Sequence, residues 1–214
     1  MVTTDDNCVT TRGMLSGMLR RSVIVLGVAT ALVLTASACN SKPKAKPAPT
    51  PEVAVALSDG TIASPGPAPT VSDAARAAVR QTLARYIAAA TVQPFITGQV
   101  GPGIDEIFDQ AAGADALTGT GRAALVDDGL GRGTPQVQPV TATINGIADS
   151  NGAIAVLATT LTIGASAQTK DGPVTITREA TFVFRPDTWR IYAYDVRTTR
   201  TTPEGQTTTS STSR

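Results

Sequence analysis

The sequence predicts an α+β domain, helices first and an antiparallel sheet second, and three observations carry this. Apolar residues recur every three to four positions between Ser72 and Gly113. The period changes to two from Val137 to Val196. Asn151-Gly152 and Asp171-Gly172 stand between β-branched runs, a strong hairpin signal. A sheet with one polar face and one apolar face needs helices on the apolar side.

The elements follow in order. Ser72 can cap a helix whose Asp73 sits favourably in the first turn. Ala75, Val79, Leu83, Tyr86 with Ile87, and Ala90 form its apolar stripe, and Arg76 and Arg80 lie on another face. Pro94 is expected to end it. Gly103 to Gly113 reads as a second helix, with Ile104, Ile107, Phe108 and Ala111 on one stripe and Gly at its stop. Thr120 to Leu130 reads as a third, short one.

Four strands are expected next: Val137 to Ala148, Ile154 to Ala167, Val174 to Arg185 and Trp189 to Val196. Tight turns join them into a meander. Along the third, Ile176, Ala180, Phe182 and Phe184 face one way, and Thr175, Thr177, Glu179 and Thr181 the other.

The flanks have a different composition. Residues 39–70 hold seven of the 14 prolines, between Pro43 and Pro69, and read as a polyproline-II-like or disordered tether after Cys39. Residues 198–214 carry eight Thr and three Ser with no apolar side chain, and are expected to be disordered. Such Thr-rich tails on exported proteins are candidates for O-glycosylation. The candidate domain is therefore 71–197.

Residues 1–38 read as an export signal. Arg12, Arg20 and Arg21 precede an uncharged run from Ser22 to Ala38 that ends in small residues. The end of that run, Ala36-Ser37-Ala38-Cys39, resembles a bacterial lipobox. That resemblance implies cleavage between Ala38 and Cys39, a diacylglycerol thioether on Cys39, and a lipid-anchored protein on the extracytoplasmic face of the cell membrane. Three alternatives stay open. One is an uncleaved membrane anchor, although Val23 to Ala38 makes only about 24 Å of helix against a ~30 Å hydrocarbon core. The second is an ordinary secretory signal. The third is a twin-arginine signal at Arg20-Arg21, whose flanks match poorly. Of the two cysteines, Cys8 lies in the part that cleavage removes, so the mature chain would carry Cys39 alone and no internal disulfide.

Composition excludes several function classes. The 214 residues carry 18 Lys+Arg against 17 Asp+Glu, net +1, without a basic cluster in the body, which argues against a nucleic-acid partner. No His is present, so Ser-His and Cys-His devices are ruled out and no metal or cofactor is expected. Gly119-Thr120-Gly121 and Gly129-Leu130-Gly131 lack the Lys and Ser/Thr of a phosphate loop.

Early helices, then a long meander closing on Trp189-Arg190-Ile191-Tyr192, resemble the nuclear-transport-factor-2-like cone. With the signal in front, the chain is similar to accessory proteins of mammalian-cell-entry lipid transporters and to uncharacterised lipoproteins of high-GC Gram-positive bacteria. Arg-rich usage, 14 Arg to 4 Lys, fits a high-GC genome. The resemblance implies a conical pocket, for which Tyr86, Phe108, Phe182 and Trp189 are the candidate wall. Enzymes of that fold class use a pocket Asp. Asp109, Asp127, Glu179 and Asp195 are the carboxylates available, with Tyr192 or Tyr194 as donors, and spacing singles out none. Asp127-Asp128-Gly129 reads more simply as a helix end. No catalytic residue is assigned. The expected function is a non-catalytic, lipid-anchored envelope protein whose domain binds a partner protein or an apolar ligand, with a small pocket enzyme as the alternative.

Overall fold

The computed structural model describes residues 53–214; the signal, Ala38, Cys39 and the first part of the tether lie outside the described residues. The described chain is α+β. Seven strands form one mostly antiparallel sheet, in the order β1-β3-β4-β5-β6-β7, with β2 also paired to β4. The strands are β1 (Val55–Ala63), β2 (Gly133–Val137), β3 (Val140–Ala148), β4 (Ile154–Thr169), β5 (Gly172–Phe184), β6 (Ile191–Thr201) and β7 (Thr207–Ser213). Five helices lie between β1 and β2: α1 (Asp73–Ile87), α2 (Gln93–Thr97), α3 (Ile104–Ile107), α4 (Gln110–Ala116) and α5 (Gly119–Leu125).

Two flanking segments differ from expectation. Residues 55–63, assigned to the tether, form β1 and pair in parallel with β3, Val55 opposite Val140 and Leu57 opposite Ala142. The prolines of 39–70 fall into two groups, 43–51 and 65–69, which leaves a proline-free gap where Val55, Leu57 and Ile62 can enter a ladder. Helices therefore do not come first. The tail was expected to be disordered, yet β6 continues to Thr201 and β7 pairs antiparallel with it, from Thr201 opposite Thr207 to Asp195 opposite Ser213. Thr is β-branched and suits a strand, and an edge strand draws on backbone bonding where apolar burial is missing.

The helical region also departs in detail. Ser72 caps α1 by accepting from the Ala75 N–H at 3.2 Å, as the sequence implies. Pro94 does not stop the path. The chain passes through a π-helical turn, Ala88–Val92, and Pro94 sits in the first turn of α2, where a missing N–H costs little. The expected helix from Gly103 to Gly113 is two. Phe108 is extended and bridges to Ile191, and Asp109 caps a new helix by accepting from the Ala112 N–H at 2.8 Å. Ala111 is consequently exposed rather than on the buried stripe.

The core lies between the helices and the inner face of the sheet. Val79, Leu83, Tyr86 and Ile87 of α1 meet Phe182 and Phe184 of β5 and Ile191 and Val196 of β6 in one buried cluster. Ile176, Ala180, Phe182 and Phe184 are all buried while Thr175, Thr177 and Glu179 are exposed, so the alternation along β5 holds. At the β2–β3 junction the run expected from Val137 breaks: Gln138 and Pro139 lie outside both strands, and the Gln138 N–H donates to the Gly164 carbonyl at 2.9 Å.

Candidate functional site

Three of the four residues expected to wall a pocket are packed core. Tyr86, Phe108 and Phe182 are at most 1% exposed. Tyr86 meets Phe182 edge-to-face with centroids 4.8 Å apart, and Phe108 likewise at 6.2 Å. Such contacts add ~0.5–1.5 kcal/mol each beyond burial. Trp189 packs, half-buried, against the edge of that core. It stands in the β5–β6 turn rather than in the closing strand, with φ of 56°. With Thr82, Arg85, Glu106 and Arg190 it lines a separate, polar recess of about 230 Å³.

Beneath the aromatic cluster is a polar centre that the sequence reading missed. Arg178 takes the inward position between Ile176 and Ala180 on β5 and is fully buried. Its Nη2 donates to Asp127 Oδ1 at 2.8 Å, its Nη1 to Thr91 Oγ1 at 2.9 Å, and its Nε to Thr198 Oγ1 and the Ala124 carbonyl. Asp127, just past α5, is 1% exposed, and among the described residues it is the buried carboxylate. Its Oδ1 also accepts from Arg200 Nε and Nη2 at 3.1 and 2.7 Å, and its Oδ2 from Thr91 at 2.8 Å. Thr91 is in the π-helical turn. The constellation thus ties that turn and the end of α5 to β5 and β6.

Electrostatics here are those of a closed ion cluster. Burial works against the Arg178 cation, but the Asp127 carboxylate prevails and holds its pKa above the ordinary value. The Arg178 guanidinium lies 5.8 Å over the Tyr86 ring, and Tyr86 Oη donates to the Leu125 carbonyl at 2.8 Å. Burial pushes the Tyr86 pKa up to about 12, with Arg178 opposing.

The other carboxylates considered for chemistry are scattered. Asp109 caps α4 and pairs with Arg185 at 3.2 Å. Burial pulls its pKa up, yet the Ala112 N–H and Arg185 outweigh this and hold it below the usual value. Glu179 and Asp195 are on the opposite, outer face of the sheet. Tyr192 lies under Arg185, 5.4 Å from ring centre to guanidinium, and Tyr194 is buried against Phe108. The fold brings no carboxylate together with a Tyr donor from this set in a shared cavity among the described residues.

The outer face carries the largest recess described, about 870 Å³. Thr160 stands opposite Thr143 on β3 and Thr181 on β5, and Thr181 opposite Asp195 on β6. The next row runs Thr162, Glu179, Arg197 and Ser211. Beyond it, Thr177, Thr199 and Thr209 align, then Thr175, Thr201 and Thr207. Gln138 closes one side: a Cβ on Gly164 would meet its Oε1 at 2.5 Å, so the amide lies directly on the strand where no side chain intervenes. The alternation of Thr on β5 was legible in the sequence; its alignment across the sheet depends on register, which the sequence does not print. A smaller recess of about 330 Å³ is lined by Val53, Val92, Pro135, Val137 and Pro139, with Gln138 as its polar member.

Among the described residues no group of three or more acidic or Cys side chains is placed to hold a metal, and no helix is long and apolar enough to cross a membrane. Compared with protein-family models, curated proteins and solved structures, the chain finds no match.

Proposed function

We infer that this chain is a lipid-anchored protein of the cell envelope whose α+β domain binds a partner and performs no catalysis. The signal-like run and Ala36-Ser37-Ala38-Cys39 support the anchor. Two chains on Cys39 would hold the protein stably where one gives only marginal binding.

Asp127 carries the non-catalytic half of the reading. A general base must meet its substrate and exchange a proton with it. Both Asp127 oxygens are instead occupied by Arg178, Arg200 and Thr91, within a centre that has no opening to a recess described above. The aromatic side chains that would wall a substrate pocket fill one another's space. Both features favour a binding surface on the exterior, and the long strands β4 to β6 with helices over one face support the nuclear-transport-factor-2-like likeness as a scaffold for it. The apolar recess at Val53 and Val137 favours a second reading, an apolar ligand held there.

The test is metabolic labelling with radioactive palmitate in a bacterial host that lipidates such signals, comparing the natural chain with Cys39→Ser. Label and membrane fractionation present in the natural chain and lost in the variant are the expected result. An unlabelled product that fractionates identically with Ser at position 39 overturns the anchor.

A further inference from the structure

We propose that the recess on the outer face of the sheet binds a neutral polyhydroxylated chain, a glycan strand. This rests on the reading of the domain as a binding module and names the class of its ligand.

The lining excludes the commoner occupants. A pocket for a small apolar molecule is walled by apolar and aromatic side chains, and the centre of a protein interface is built on aromatic anchors. Here Leu161 and Ala180, the apolar residues of the strands beneath it, are each 6% exposed because their side chains point into the core. What faces outward is hydroxyl, amide and carboxylate, with the Arg197 guanidinium and the Pro139 ring beside them. Glu179 stands opposite Arg197 in the β5–β6 register, so the face carries little net charge to hold a polyanion.

Hydroxyl chemistry then selects the ligand. A Thr hydroxyl both donates and accepts, and its proton rotates to suit the partner. A sugar hydroxyl does the same, so rows of Thr can satisfy rows of sugar hydroxyls without stranding a desolvated group. The Thr methyls offer small apolar contacts to the carbon faces of the rings. Thr is also stiff at χ1, so ordering it on binding costs little. Asp195 supplies an acceptor able to take two hydroxyls, and Gln138 supplies a donor and an acceptor at the rim.

Dimensions favour a chain over a single sugar. The row from Thr143 through Thr160 and Thr181 to Asp195 crosses four strands, roughly 14 Å at ~4.8 Å per strand, and β7 extends the face beyond it. The volume of about 870 Å³ falls within the ~300–1,000 Å³ of ordinary ligand sites.

The experiment is co-sedimentation of the detergent-purified full chain with three insoluble probes: protein-free peptidoglycan sacculi, chitin and cellulose. Soluble, uncharged oligosaccharides of chitin and cellulose serve as competitors. Saturable binding to at least one probe, displaced by soluble glycan, is expected. The double variant Thr162→Val/Thr181→Val, which removes hydroxyls and keeps shape, should bind at least tenfold more weakly at unchanged Tm, and Gln138→Ala several-fold more weakly. Lys170→Gln, on a distant turn, should bind like the natural chain. Absence of binding to all three probes overturns the proposal, as does a double variant that binds like the natural protein. If crosslinking through position 162 in cells traps a protein while the glycans fail, the ligand class is wrong and the binding-module reading survives; the palmitate experiment tests the anchor independently of both.

Discussion

Arg178 and Asp127, 51 residues apart in sequence, are joined by a 2.8 Å hydrogen-bonded ion pair in which neither side chain touches solvent. Arg200 shares the same carboxylate oxygen. Two guanidiniums thus depend on one anion in a buried site. Removing that anion leaves two guanidiniums without a counter-charge in a site almost free of water, at a cost of ~3–5 kcal/mol. Asp127→Asn should therefore lower the urea midpoint by that equivalent with little change in m. The triple replacement Asp127→Leu, Arg178→Met, Arg200→Met should be less damaging than the single one, because it removes the charges together. A single variant as stable as the natural protein, measured by chemical denaturation, contradicts the assignment.

Tyr86 makes the fold sensitive to alkali. Its pKa is about 12 in the folded chain against an ordinary value of 10. The folded state holds its proton more tightly, so its contribution is complete below pH 10 and is lost as pH rises toward 12. Two units correspond to ~2–3 kcal/mol at most. Tyr194, also raised by burial, contributes in the same direction. Unfolding free energy measured from pH 9 to 12 should fall steeply in the natural chain and less steeply in Tyr86→Phe. Parallel curves would show that Tyr86 does not carry the effect.

Trp189 occupies left-handed backbone, φ 56°, where a β-branched residue is a genuine outlier. Its carbonyl accepts from Thr82 Oγ1 at 3.1 Å, so α1 holds the turn in place. Trp189→Val should be less stable than Trp189→Gly by about 1 kcal/mol or more, although Val keeps more apolar surface. Thermal unfolding of the two variants side by side decides it, and the reverse order would mean that packing, not backbone conformation, governs the position.

Strand β7 predicts the behaviour of a truncation. Ending the chain at Thr202 would strip β6 of its partner from Asp195 to Thr201 and expose a long edge. It would also remove Arg214, which bonds the Ala111 carbonyl and Asp115 at the α4 end. The shortened protein should lose stability and self-associate in light scattering. A monomer of natural stability would return the tail to the status of an appendage.

How much of this was legible depended on which force shaped each part. Hydrophobic alternation marked β4, β5 and β6, and Ser72 with Asp73 marked α1, because burial and capping act locally. Phe108 broke its helix for a backbone bridge to Ile191, 83 positions away, which no local pattern encodes. The tether reading averaged prolines over a window that contained β1, and the tail reading asked for apolar surface where Thr ladders and backbone pairing suffice. For the site, the inward register of β5 was read correctly and still stepped over Arg178. A cation in the sequence of core positions Ile176, Ala180 and Phe182 is the signal that a buried anion must face it. Asp127, taken for a helix end, is that anion.

The parallel pairing of β1 with β3 has a mechanical consequence. Val55 is where the described chain enters the sheet, so a pull directed along the β1 axis loads this strand from its first paired residue. Its ladder bonds to β3 then resist sliding together, from Val55 to Asp59, instead of parting one after another as at a peeled hairpin. A load along that axis is carried by the whole ladder at once, whereas a load across it falls on one bond at a time.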